Sequence, residues 1–130
     1  MTRTPDDLAA AAHRLLAPPP GVIHTLAPGL RARAAAALLR LALDEAMDGF
    51  WQRVSPAMTY SRGRTKALCL EWYAPPSVAR QWYAVWSALS AACHHHTYEL
   101  PPTPGEVRAW HDDVVELLPA LSPGSERTEA

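Results

Sequence analysis

Three clusters of side chains in this chain have types and spacings that can do chemistry. The first is Ser61-Arg62-Gly63-Arg64-Thr65-Lys66. Ser61 reads as a helix cap, which puts Arg62, Arg64 and Lys66 in the first turn of a helix. Cations there oppose the helix dipole at a cost of about 0.3–1 kcal/mol each, so a partner for them is expected. Free N–H groups at a helix start, beside cations, can hold an anion such as a phosphate, and Tyr60 adds a stacking surface. The Gly-x4-Gly-Lys spacing of a nucleotide-binding loop is absent. The second cluster is Asp44, Glu45 and Asp48. Asp44 and Asp48 are four residues apart on one helix, a like-charge pair that costs about 0.2–0.5 kcal/mol if unanswered. An internal ion-pair network between the acidic and basic clusters is the structural alternative to an external anion. The third cluster is Cys93-His94-His95-His96, followed by Tyr98 and Glu99.

Consecutive helical histidines point about 100° apart and cannot share one ion. A zinc site would need Cys93 and His96 joined by Cys69 and His111, at spacings that fit no standard finger. The plainer reading is a buried thiol and a polar helix end (His94, His95, Tyr98 and Glu99), where imidazoles are favourable against the dipole. Neither a metal nor a cofactor is therefore expected. Asp44, Asp48, Glu71 and the histidines could supply an acid–base pair if they converged. The chain lacks a Ser-His-Asp or Cys-His signature and a glycine-rich dinucleotide loop, so no reaction class is specified.

The elements that must position these groups are helices. Thr4-Pro5-Asp6-Asp7 reads as a cap, a first-turn proline and acids, opening a short helix to about Ala17. Pro18-Pro19-Pro20-Gly21 stops it. Leu30 to about Arg53 is the longest helix, rich in alanine and leucine. A third runs from Ser61 to Tyr73, and a fourth from Ser77 to about His96. Thr103-Pro104-Gly105-Glu106 is a capping box that starts the last helix, closed by Pro119. No window shows period-two alternation. The expected fold is all-α: a four-helix bundle core with an additional short N-terminal helix, one domain over residues 1–121 and a disordered tail over 122–130.

At 100° per residue the fourth helix presents Val78, Trp82, Val85, Trp86, Leu89, Ala92, Cys93 and His96 to the core. Ala84, Ala88 and Ala91 form a small-residue strip beside that face, where another helix could come close. Arg80 and Tyr83 lie opposite, and Tyr83 reads as a partner contact. The last helix points Val107, Trp110, Val114, Leu117 and Leu118 inward. The long helix carries two apolar stripes. Leu30, Ala34, Ala37, Leu38 and Leu41 lead into the acidic cluster, while Ala36, Leu39, Leu43, Met47 and Phe50 lie on the other side. It is therefore expected to be central, with its acids where a core face meets the end of the bundle. Trp82, Trp86 and Trp110 fall on core faces, so most of the five tryptophans read as core.

The 130 residues, 48% hydrophobic and 19% charged, describe one globular domain. A net charge of -1 excludes a strongly basic nucleic-acid coat. That total hides a split: residues 61–80 carry +3 and residues 81–130 carry -5. The two cysteines are too few for a disulfide framework. No leader-like apolar segment follows the first residues, and no stretch reaches the roughly 18 apolar residues of a membrane span. The expected setting is the cytoplasm. Eleven arginines against one lysine, with 24 alanines, match the codon usage of a high-GC bacterial genome.

The segment Ala92-Cys93-His94-His95-His96-Thr97-Tyr98-Glu99-Leu100-Pro101-Pro102-Thr103 resembles one found in small helical proteins of high-GC bacteria. In architecture the chain is also similar to HEPN-type bundles, small four-helix domains of toxin–antitoxin and defence systems, many of them ribonucleases. Their catalytic pair is an arginine followed after four to six residues by a histidine. Here two residues separate Arg108 from His111 and thirteen separate Arg80 from His94, so the resemblance implies the architecture without the catalytic pair. The function expected is a non-catalytic helical interaction module that binds a protein partner, or itself, through a bipolar charged surface. The alternative is a HEPN-like domain that binds or acts on nucleic acid.

Overall fold

A computed structural model describes residues 3–21, 26–94 and 100–123. Among the described residues five α-helices follow one another: α1 (Pro5–Leu16), α2 (Pro28–Val54), α3 (Gly63–Leu70), α4 (Pro76–Cys93) and α5 (Pro104–Leu121). A 3-10 turn over Pro56–Tyr60 joins α2 to α3. No strand occurs among the described residues, so the all-α reading holds. No described helix is long and apolar enough to cross a membrane.

Local chemistry sets the helix starts. Thr4 and Thr103 each close a capping box, with Asp7 and Glu106 three residues on. In the second box the Thr103 hydroxyl accepts from the Glu106 N–H at 3.1 Å, and the Glu106 carboxylate accepts from the Thr103 N–H at 3.1 Å. Thr103→Ala should destabilise the fold by about 1 kcal/mol in urea unfolding, because the Glu106 N–H at the helix start loses its ordered acceptor. A loss below a few tenths would show that water replaces the box at no cost.

α2 is the hub, with α1, α4 and α5 packed around it. Its buried residues are Ala32, Ala35, Ala36, Leu39, Ala42, Leu43, Ala46, Met47, Phe50 and Trp51. The core face is thus the stripe through Leu39, Leu43, Met47 and Phe50. The stripe through Leu30, Ala37 and Leu41 faces outward, with both leucines more than 40% exposed. Alanines populate both stripes and make them equally apolar on paper; the bulky Phe50, Met47 and Trp51 extend only one. Of the two short helices, α1 buries four residues (Leu8, Ala9, Ala12 and Leu16) and α3 two (Ala67 and Leu70). α3 rests chiefly on α4, and α5 packs on α1, α2 and α4. The Arg53 guanidinium donates to the Leu121 carbonyl at 2.6 Å and to the Gly49 carbonyl at 2.9 Å. It ties the C-terminal ends of α2 and α5 together.

Several boundaries differ from the sequence reading. Arg62, not Ser61, holds the cap position of α3, with no side-chain cap bond. Pro56 has started a 3-10 turn, which moves the helix start one residue on, and the Ser61 hydroxyl points back to the Met58 sulfur at 4.0 Å. α3 ends at Leu70 rather than Tyr73, and the chain turns over residues 71–73. α4 ends at Cys93, with His94 as its cap residue. Pro119 sits inside α5, which continues to the buried Leu121; burial of that leucine holds the last turn beyond the proline. Residues 124–130 of the expected tail lie outside the described residues.

Candidate functional site

Two of the sequence clusters meet where α3 crosses the α2–α4 pair. The Lys66 ammonium donates to the Asp48 carboxylate at 2.6 Å. Asp44 is answered from α4 and from its own helix: the Trp86 indole N–H donates to its carboxylate at 2.8 Å, and the Arg40 Nε lies 3.9 Å away. Arg40 also stands over the Trp86 ring, 5.7 Å from its centroid, close enough for a cation–π attraction. Trp86 in turn stacks on the buried Trp82 with centroids 5.5 Å apart, and the Trp82 N–H donates to the Leu43 carbonyl at 3.2 Å. α3 reaches this junction because Gly63 has no side chain; a Cβ there would come within 2.9 Å of the Trp86 ring. Glu45, Arg62 and Arg64 stay exposed.

Burial pushes the Asp44 carboxyl above its ordinary value of 3.8, against the Trp86 hydrogen bond and the Arg40 guanidinium, which favour the ionised form. The folded chain therefore holds this proton more tightly than the unfolded chain does. Ionised Asp44 costs stability above its folded pKa, and the cost is relieved as pH falls through that value toward 3.8. Asp44→Asn keeps an oxygen for the Trp86 N–H. It should be at least as stable as the parent in urea at about pH 7, and should lack the parent's relief at about pH 4. A variant less stable at neutral pH would mean that the Arg40 and Trp86 contacts outweigh desolvation.

The outer side of α3 has a different character. Between α3 and α4 runs a groove of about 310 Å³. Ala67 and Leu68 of α3 and Ala79 and Ala84 of α4 give it apolar walls, Tyr83 lies along it, and Arg64, Arg80 and Glu71 rim it. Leu68, in its wall, is 57% exposed, and Tyr60 and Trp72, on the segments that flank α3 in sequence, are 93% and 87% exposed. Isolated exposed apolar residues are ordinary. Here Leu68 and Tyr83 share one groove with Arg64 and Arg80, while Tyr60, Arg62 and Trp72 lie on the segments just before and just after α3. Tyr83 is legible from the helical period. Trp72 is not, because α3 unwinds after Leu70 and takes Trp72 off the helix face; the Pro75-Pro76 pair that follows is the one local hint of early termination.

The remaining candidates disperse. Cys69 packs against the core from α3. Cys93 lines a shallow groove with Leu30, Ala34 and Ala37 of α2, and burial raises its thiol pKa, with the Arg40 guanidinium opposing. His111 lies 5.3 Å from the His13 ring and 3.3 Å from the Asp112 carboxylate. These three stand in separate surroundings, and His96, the fourth ligand of the zinc alternative, lies outside the described residues. No group of three or more His, Cys, Asp or Glu side chains able to hold a metal forms among the described residues. His94 is exposed at the end of α4; His95, Tyr98 and Glu99 lie outside the described residues. Ala88 and Ala91, the small-residue strip of α4, border a cleft with Leu100, Pro101 and Trp110. Comparison with known proteins gives no match to a family model, a curated protein or a solved structure.

Proposed function

We propose that this chain is a non-catalytic interaction module that docks a protein partner on the outer face of α3 and α4. The partner presents an acidic amphipathic helix. The observation that carries this is the exposure of Leu68 and Tyr83 in an apolar groove that Arg64 and Arg80 also line, with Tyr60 and Trp72 exposed on the segments that flank α3 in sequence. Tryptophan, tyrosine and arginine are the residue types that dominate protein-binding energy. A channel between two helices suits a third helix, whose apolar side chains enter it while its charges meet the rim. The guanidiniums of Arg64 and Arg80 outnumber the Glu71 carboxylate in the groove, which selects acids on the partner. A phosphate backbone is a poorer fit. Lys66 is already held by Asp48, and methyl groups rather than cations make the walls of the groove. The reading takes the protein to act in the cytoplasm, in keeping with its two free cysteines.

Calorimetric titration with a designed peptide tests the reading. The peptide is a helix carrying leucine at i, i+3, i+4 and i+7 and glutamate on the flanks. Binding is expected, and Trp72→Ala together with Leu68→Ala should weaken it by about thirtyfold or more with the fold intact by circular dichroism. Equal binding by the double variant, or no binding, would overturn the reading. Tight binding of a single-stranded RNA with steep loss in salt would point instead to phosphate recognition.

A further inference from the structure

We infer that the partner for the α3–α4 groove is a second copy of this chain, which inserts the outer face of its α5. The inference rests on the docking reading above and names its occupant. The outer face of α5 has the required chemistry. Asp112 and Glu116 are exposed there against Arg108. Among them Val115 is 47% exposed, a branched apolar side chain set between acids on a surface helix. Asp112 and Glu116 are one helical turn apart, about 6 Å, and flank Val115 in sequence. The groove presents the complement, with Leu68 and Tyr83 for the valine and Arg64 and Arg80 for the two carboxylates.

The two faces do not neutralise each other within one molecule. α3 lies chiefly against α4, whereas α5 packs on α1, α2 and α4, so α4 stands between them. Among the described residues, the exposed Arg64 and Arg80 line the groove beside α3, whereas Asp112 and Glu116 stand exposed on α5. A contact between unlike faces is head-to-tail. It leaves one groove and one α5 face unsatisfied at the ends, and closes only if the rotation between copies makes a ring.

Sedimentation velocity of the full chain, at low salt over a range of concentrations, tests this. The parent is expected to grow beyond the monomer with concentration and to shrink back in high salt. Arg64→Glu with Arg80→Glu reverses the groove, and Asp112→Lys with Glu116→Lys reverses the α5 face. Each pair lies on exposed positions and should weaken self-association at least tenfold while circular dichroism stays unchanged. Mixing the two variants should restore association, since the native halves match and so do the reversed halves. Failure of the mixture to recover, or self-association indifferent to both variants, would overturn the inference. A parent that stays monomeric throughout would also overturn it. The docking reading would survive a monomeric parent if the designed peptide still bound the groove, and would fall with it if the peptide did not.

Discussion

Truncating Trp82 to alanine is expected to cost the fold about 3–5 kcal/mol, the largest loss of any single change considered. Three contributions converge on that ring. It is 1% exposed in the middle of α4, so its removal leaves a cavity that the packed helices close only in part. Its N–H is the partner of the Leu43 carbonyl, part of the contact between α4 and the hub helix. It is also the platform on which Trp86 stacks, and Trp86 in turn seats α3. The melting temperature should fall by about 10–20 °C, measured by near-ultraviolet circular dichroism, which reports the lost indole environment directly. A loss under about 1 kcal/mol would contradict the packing described.

Gly63→Ala is expected to destabilise by about 1–3 kcal/mol, the opposite of what helix propensity alone dictates. An alanine at a helical glycine ordinarily gains about 0.5–1 kcal/mol. Here the added methyl meets Trp86 at 2.9 Å, and that ring cannot retreat. Trp82 stacks on it, Asp44 accepts its N–H, and the Arg40 guanidinium lies over it. The helix must therefore move instead, taking Lys66 away from Asp48 and Leu68 away from the groove. Peptide binding should fall about tenfold or more in a chain that still folds. Stability at or above the parent's, with binding unchanged, would show that α3 has more freedom than this junction allows.

Much of this fold can be read from breakers and caps. Thr4 and Thr103 announce their helices because threonine, proline and an acid three residues on have one local structural meaning. Trp82, Val85 and Leu89 can be placed inward because the polar residues of α4 are confined to the other side. α2 resists the same treatment. Alanine is small enough to lie at a core or at a surface, so the choice between its two stripes waits on which bulky residues find neighbours. The acidic cluster signals its need for cations, and the basic cluster is the legible source, but that only Lys66 of it forms an ion pair among the described residues, and only with Asp48, is not. Lys66 stands 18 residues from Asp48, on the next α-helix, and Trp86 reaches Asp44 from 42 residues away. The exposed Trp72 is hidden from periodicity because the helix that would have oriented it stops at Leu70. The groove itself is a product of two helices meeting and has no counterpart in either one alone.

The most direct test of the docking surface is an amide chemical-shift map of the labelled chain titrated with the acidic amphipathic peptide. Perturbations are expected to concentrate at Arg64, Leu68, Glu71, Trp72, Arg80 and Tyr83, with the Trp72 indole N–H shifting among them. Perturbations centred on the outer stripe of α2 or on the cleft beside Trp110, with α3 unmoved, would contradict it.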